Sequence, residues 1–137
     1  MAKDERLLSV WVAGIAATKG SLDVVNKQTG AVSMSERSKR WEATMAREIA
    51  TAVKAGAWEP LSEECCVELQ FHLTWPDPTN PRAGDVDKLE RCALDALKRG
   101  GAYTDDRFVV ETYPRKFGFT LGAQPGVHIL LRPGRFA

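Results

Sequence analysis

The chain has 137 residues, 44% of them hydrophobic and 27% charged, with a net charge of +1. That length predicts one domain with one core over residues 1–137, and the composition argues against disorder. No apolar run approaches the roughly 20 residues that a membrane-spanning helix needs, so no membrane association is expected.

Residues 7–13 are apolar, with β-branched and aromatic members, and read as a strand that ends at Gly14. This stretch is too short and too strand-like for a signal peptide, which points to a cytoplasmic protein. Residues 14–21 form a connection of small residues. Residues 23–27 and 31–33 flank Gln28-Thr29-Gly30 and are compatible with a short hairpin. Ser35 suits the N-cap of a helix in which Trp41, Met45, Ile49, Ala52 and Val53 recur at helical spacing up to Gly56. The other side of that helix carries Arg37, Lys39, Arg40 and Arg47, a basic face that solvation alone also explains.

Residues 65–75 place Val67, Leu69, Phe71 and Leu73 on one face of a strand. Cys65 and Cys66 are adjacent and face opposite ways on it, so a disulfide framework is not expected. His72 and His128 are isolated in apolar strands and read as ordinary strand side chains, with no zinc-site spacing around them. Pro76, Pro78 and Pro81 make the next stretch a loop that leads directly into Asp85. A second helix is predicted from about Lys88 to Arg99, with Leu89, Cys92, Ala93, Ala96 and Leu97 as its buried stripe and Gly100 as a left-handed cap. Residues 108–113 and 127–131 read as the last strands. Helices set between strands predict an α+β fold, a single sheet with two main helices packed on it, whose strand order is not readable.

Acidic residues gather around the second helix. Asp85 and Asp87 stand at its mouth, and Asp105-Asp106 follows its far end. Each alone has a plain explanation. Asp87 with Glu90 resembles a capping box, acids at a helix start gain from the macrodipole, and Asp105-Asp106 suits a turn. Together they invite another reading. With an extended entry, Asp85 and Asp87 point to the same side, and a sharp return after Gly100-Gly101 can bring Asp105-Asp106 back toward them. Converging carboxylates call for a hard divalent cation, which takes oxygen ligands and activates water for phosphoryl chemistry. Arg91 lies one turn beyond Asp87, placed to pair with it or to neutralise charge on a phosphate. No glycine-rich phosphate loop or nucleophile elbow is present.

Charge distribution agrees. Residues 1–58 sum to +3, residues 59–106 to −6 and residues 107–137 to +4. Basic flanks suit DNA phosphates, and an acidic middle suits cations, although ordinary surface patchiness gives the same sums.

The order of these residues carries a resemblance. Asp-x-Asp, a helix reading Leu-Glu-Arg-Cys-Ala-Leu-Asp-Ala-Leu, then Gly-Gly-Ala-Tyr-Thr-Asp-Asp and a Val-Val strand resembles the RusA-type Holliday junction resolvases. The likeness is strong over residues 84–116 and looser before, where Val12-Ala13-Gly14, Lys19-Gly20 and residues 35–41 fit the family's entry. It implies a small homodimeric, Mg²⁺-dependent endonuclease, often phage-encoded and so acting in a bacterial cytoplasm, that nicks four-way DNA junctions symmetrically. Mn²⁺ is an expected substitute for Mg²⁺. The resemblance marks Asp85, Asp87 and Asp106 as catalytic, metal-binding carboxylates and Asp105 as the neighbouring acid. Arg91 falls where the family commonly has an essential lysine. It keeps the charge but is a planar fork rather than a compact ammonium. Lys88 replaces a common Asn. Gly84 sits where a basic residue often precedes the first Asp, and Arg82 is the candidate to serve instead. Lys19, Lys39, Arg40, Arg82, Lys88, Arg115 and Lys116 are the candidate DNA contacts. The competing expectation is a branched-DNA nuclease of broader specificity or a non-catalytic DNA-binding module, in which the acids only cap and pair.

Overall fold

Alternating burial along the strands sets the frame on which both helices pack. In the structure, a computed structural model, residues 5–18, 24–25, 32–33 and 36–136 are described, residues 24–25, 32–33 and Arg82 by their backbone alone. In β1 (Leu8–Ala13), Leu8, Val10 and Val12 point into the core, and Ser9, Trp11 and Ala13 point out. β2 (Val24–Val25) and β3 (Val32–Ser33) pair antiparallel, which agrees with the expected hairpin. Then follow α1 (Glu36–Ala55), β4 (Cys65–His72), α2 (Val86–Arg99), β5 (Val109–Phe117) and β6 (Gly126–Pro133). Short 3₁₀ turns at Pro81–Ala83 and Asp106–Phe108 precede α2 and β5. Ser35, the expected N-cap of α1, lies outside the described residues.

The main sheet has the order β1-β6-β4-β5. β6 is antiparallel to both its neighbours, while β4 and β5 are parallel, so the sheet is mixed and the fold is α+β. The helix α2 is the crossover that a parallel pair requires. Its stripe of Leu89, Cys92, Ala93, Ala96 and Leu97 is fully buried, as are Met45 and Ile49 of α1. These side chains join Val67, Leu69, Phe71, Val127, Ile129 and Leu131 in one hydrophobic core. All three cysteines are free and buried, Cys65 and Cys92 within this core. Burial, then the neighbouring Cys66 and Glu63, raise the Cys65 thiol to about 11, so it stays protonated.

The left-handed residue expected at Gly100 falls one position later. Gly100 is right-handed, with φ −77°, and Gly101 takes the left-handed conformation at φ +85°. Gly100 is required for a different reason: a Cβ there would come 2.5 Å from Ile49 Cγ2, so its lack of a side chain permits close approach of α1 and α2. Strand bounds also differ from expectation, β1 starting at Leu8 rather than Leu7. β4 stops at His72, and β6 gains a residue at its start and two at its end. β5 runs on to Phe117 through Pro114, because β5 is an edge strand and Pro needs no ladder donor there.

Leu89 is 0% exposed at the start of α2. Leu89→Ala is expected to destabilise the fold by about 2–5 kcal/mol in urea denaturation, and a loss well under 1 kcal/mol would contradict this packing.

Candidate active site

The entry to α2 is built by glycine and lysine. Gly84 has φ +87°, and a Cβ there would meet Thr18 Cγ2 at 2.3 Å. Its carbonyl accepts a hydrogen bond from Lys116 Nζ at 2.9 Å, which ties the loop to β5. Asp85 follows as the N-cap in an extended conformation, and its carbonyl accepts from the backbone N–H groups of Lys88 (3.1 Å) and Leu89 (3.0 Å). Its carboxylate makes no capping hydrogen bond. The helix therefore begins at Val86 rather than near Lys88, and the cap is Asp85, not an Asp87–Glu90 box. Asp87 is already helical, so strand alternation does not relate it to Asp85. Both exposed carboxylates nonetheless share one helix end, where the macrodipole favours them. Lys88 Nζ stands 3.9 Å from Asp85 Oδ2, an exposed pair that holds neither group firmly. Asp87 and Arg91 form no ion pair with each other among the described residues, and Arg91 is exposed.

The other acidic pair sits at the opposite end of the helix. Asp105 caps the 3₁₀ turn, its Oδ1 accepting from the Arg107 backbone N–H at 3.0 Å. That bond, then Asp106 and the charges of Lys98 and Arg107, hold the Asp105 carboxyl below its usual range against the opposing effect of burial. Tyr103 fixes this corner: its buried hydroxyl donates to Leu94 O at 2.6 Å, inside α2. Burial, then the Asp106 carboxylate, push the phenol far up, so it remains a donor. The backbone returns only after these acids, as β5 starts beside Cys65 and runs parallel to β4. The expected sharp return therefore does not carry Asp105-Asp106 to the helix start. The 14 residues of α2, roughly 21 Å, lie between the two pairs. Among the described residues, no group of three or more His, Cys, Asp or Glu is disposed to hold a metal ion.

The candidate DNA contacts divide by their surroundings. Arg40 and Lys39 are exposed on α1, with Lys39 3.4 Å from Glu36. Arg115 is engaged within the chain, 2.7 Å from Glu68 and over the rings of Tyr113 and Phe117. Lys116 is half-buried on Gly84 O. Lys19 and the Arg82 side chain lie outside the described residues.

With this geometry in place, the sequence matches the family model of endodeoxyribonuclease RusA over residues 17–132. The chain belongs to the RusA endodeoxyribonuclease family. No curated protein matches it. The RusA match spans both helices, β4, β5 and all but the last residue of β6, and leaves β1 outside, so the two acidic pairs and Arg91 all fall inside it. Two positions in this RusA chain escaped the reading of the sequence. Tyr103 was given no role of its own between Gly-Gly and Asp-Asp, yet an aromatic with a polar tip among small residues is itself a sign of a buried anchor. Lys116 looked like a phosphate contact, and its bond to Gly84 depends on the parallel pairing of β4 and β5. No helix among the described residues is long and apolar enough to cross a membrane.

Proposed function

We propose that this RusA chain is a Mg²⁺-dependent endonuclease that resolves four-way DNA junctions by paired nicks, acting as a homodimer at the mouth of α2. The observation that carries this reading is the state of Asp85. It caps the helix through its carbonyl while its carboxylate makes no cap bond, and Asp87 stands in the same first turn. Two uncommitted carboxylates fit Mg²⁺, which commonly takes one or two carboxylates and completes its shell with water and substrate phosphate. Mn²⁺ accepts the same oxygen ligands. Bound there, the cation supplies Lewis acidity for hydrolysis of the phosphodiester. Asp85 and Asp87 would orient it, and Lys116 with Gly84 fixes the loop that leads into the helix end from which they project. Arg91, exposed one turn further along α2, is placed to offset charge on the phosphate.

Asp106, with Asp105 beside it, enters this site from a second copy. The length of α2 separates the acidic pairs within one chain, and a twofold dimer can set the start of one α2 beside the end of the other. Two equivalent sites also suit two symmetric nicks. The second reading, a non-catalytic branched-DNA binder, draws support from the same separation. It predicts binding without cleavage.

Cleavage of a synthetic four-way junction, a flap and a linear duplex, each with Mg²⁺ and with EDTA, distinguishes these readings. The expected result is paired nicking of the junction in Mg²⁺ alone. Tight junction binding with no metal-dependent cleavage would establish the binding module instead.

A further inference from the structure

A groove runs away from Asp85 along the end of the sheet, and the hydrolytic chemistry leaves it unused. Two crevices share Ala16, Arg37 and Ala83. One, of about 170 Å³, reaches Gly84, the residue before Asp85. The other reaches Ile15 and His72 at the end of β4. An aromatic row continues from His72 across the face of the sheet that no helix covers among the described residues. The Trp11 ring lies 5.7 Å away on one side, tilted by 60°. On the other side Phe117 stacks at 5.1 Å and 14°. Gly126 makes the row possible, since a Cβ there would come 2.6 Å from Trp11 Cζ2. The indole therefore lies across β6 rather than standing on it, and Trp11 remains 42% exposed.

We propose that this groove holds the unpaired strand at a DNA branch, with Arg37 on a backbone phosphate and an unstacked base laid on Trp11. Arg37 is exposed and, among the described residues, commits one contact, at 3.3 Å, to Ala16 O. A guanidinium has about five N–H donors in a fork that matches phosphate, so most of its donors stay open. Lys39 and Arg40 follow on the exposed side of α1 and extend the positive charge. Aromatic rings hold bases of any sequence by their π faces, which suits a protein that recognises branch shape. A fork carries such bases on its single-stranded arm and a four-way junction exposes them where pairs open at the crossover, whereas a linear duplex keeps them stacked. A second copy fits the bare face less well. Its middle holds the Arg115–Glu68 ion pair, and Arg132 is exposed beside it, whereas the cores of protein interfaces are depleted in charge.

The proposal rests on the nuclease reading for its partner, so its test measures binding in EDTA, where nothing is cut. Fluorescence anisotropy compares forked DNA with a single-stranded arm and linear duplex. Trp11→Ala and Arg37→Met are each expected to weaken fork binding about tenfold, with Trp11→Phe recovering most of the loss. Trp11→Ala leaves duplex binding within about twofold, and Arg37→Met lowers the salt dependence of fork binding by about one phosphate contact. Equal losses on fork and duplex, or no loss, would overturn the proposal. So would a change in the sedimentation of Trp11→Ala, which would assign the face to a second copy. A chain that binds forks in this pattern but does not cleave would refute only the nuclease reading.

Discussion

Replacing Asp87 by Asn is expected to lower metal-dependent cleavage of a four-way junction on the order of 10³-fold while leaving the fold and junction binding in place. The substitution preserves size and shape but removes the negative charge, and an amide oxygen is a poor substitute for a carboxylate on a hard cation. The structural cost is small, because Asp87 is exposed and its interaction with the helix dipole contributes only about 0.3–1 kcal/mol. Stability and activity should therefore separate. If the acids only cap α2, Asp87→Asn lowers the melting temperature slightly and leaves cleavage at the wild-type rate. Thermal denaturation and a single-turnover nicking assay on the same preparation read both quantities.

The parts of the fold legible in the sequence are those set by local chemistry. The buried stripe of α2, the inward Val67, Leu69 and Phe71 of β4 and the basic face of α1 follow from periodicity, and each is found as read. The errors arise where distant contacts decide. The role of Gly100 is set by Ile49, about fifty positions away in the chain, and nothing beside Gly100 reveals it. β5 reaches Phe117 because it lies at the sheet edge, and edge position depends on strand order. The start of α2 was misplaced because Asp87 with Glu90 resembles a capping box, whereas the backbone bonds put the cap at Asp85.

The acidic residues divide in the same way. Their order along the chain was legible, and so was the family. Their distance was not, because it depends on β5 being parallel to β4, which keeps Asp105-Asp106 at the far end of the helix. A single chain thus holds two acidic pairs at opposite ends of α2. Symmetry offers a way to join them, and the mixing of inactive variants tests it with a large signal. In a dimer of Asp87→Asn and Asp106→Asn chains with shared sites, one site collects both substitutions and the other collects neither. Each variant alone has two damaged sites.

The decisive measurement is therefore Mg²⁺-dependent nicking of a four-way junction by each variant alone and by the two refolded together. Each variant alone should be inactive, and the mixture should recover nicking to about a quarter of the wild-type rate, since random pairing makes half the dimers mixed and each of these has one intact site of two. A mixture as inactive as its components, under conditions where the wild-type chain cleaves and sedimentation shows exchanged subunits, would contradict a site built from both ends of α2.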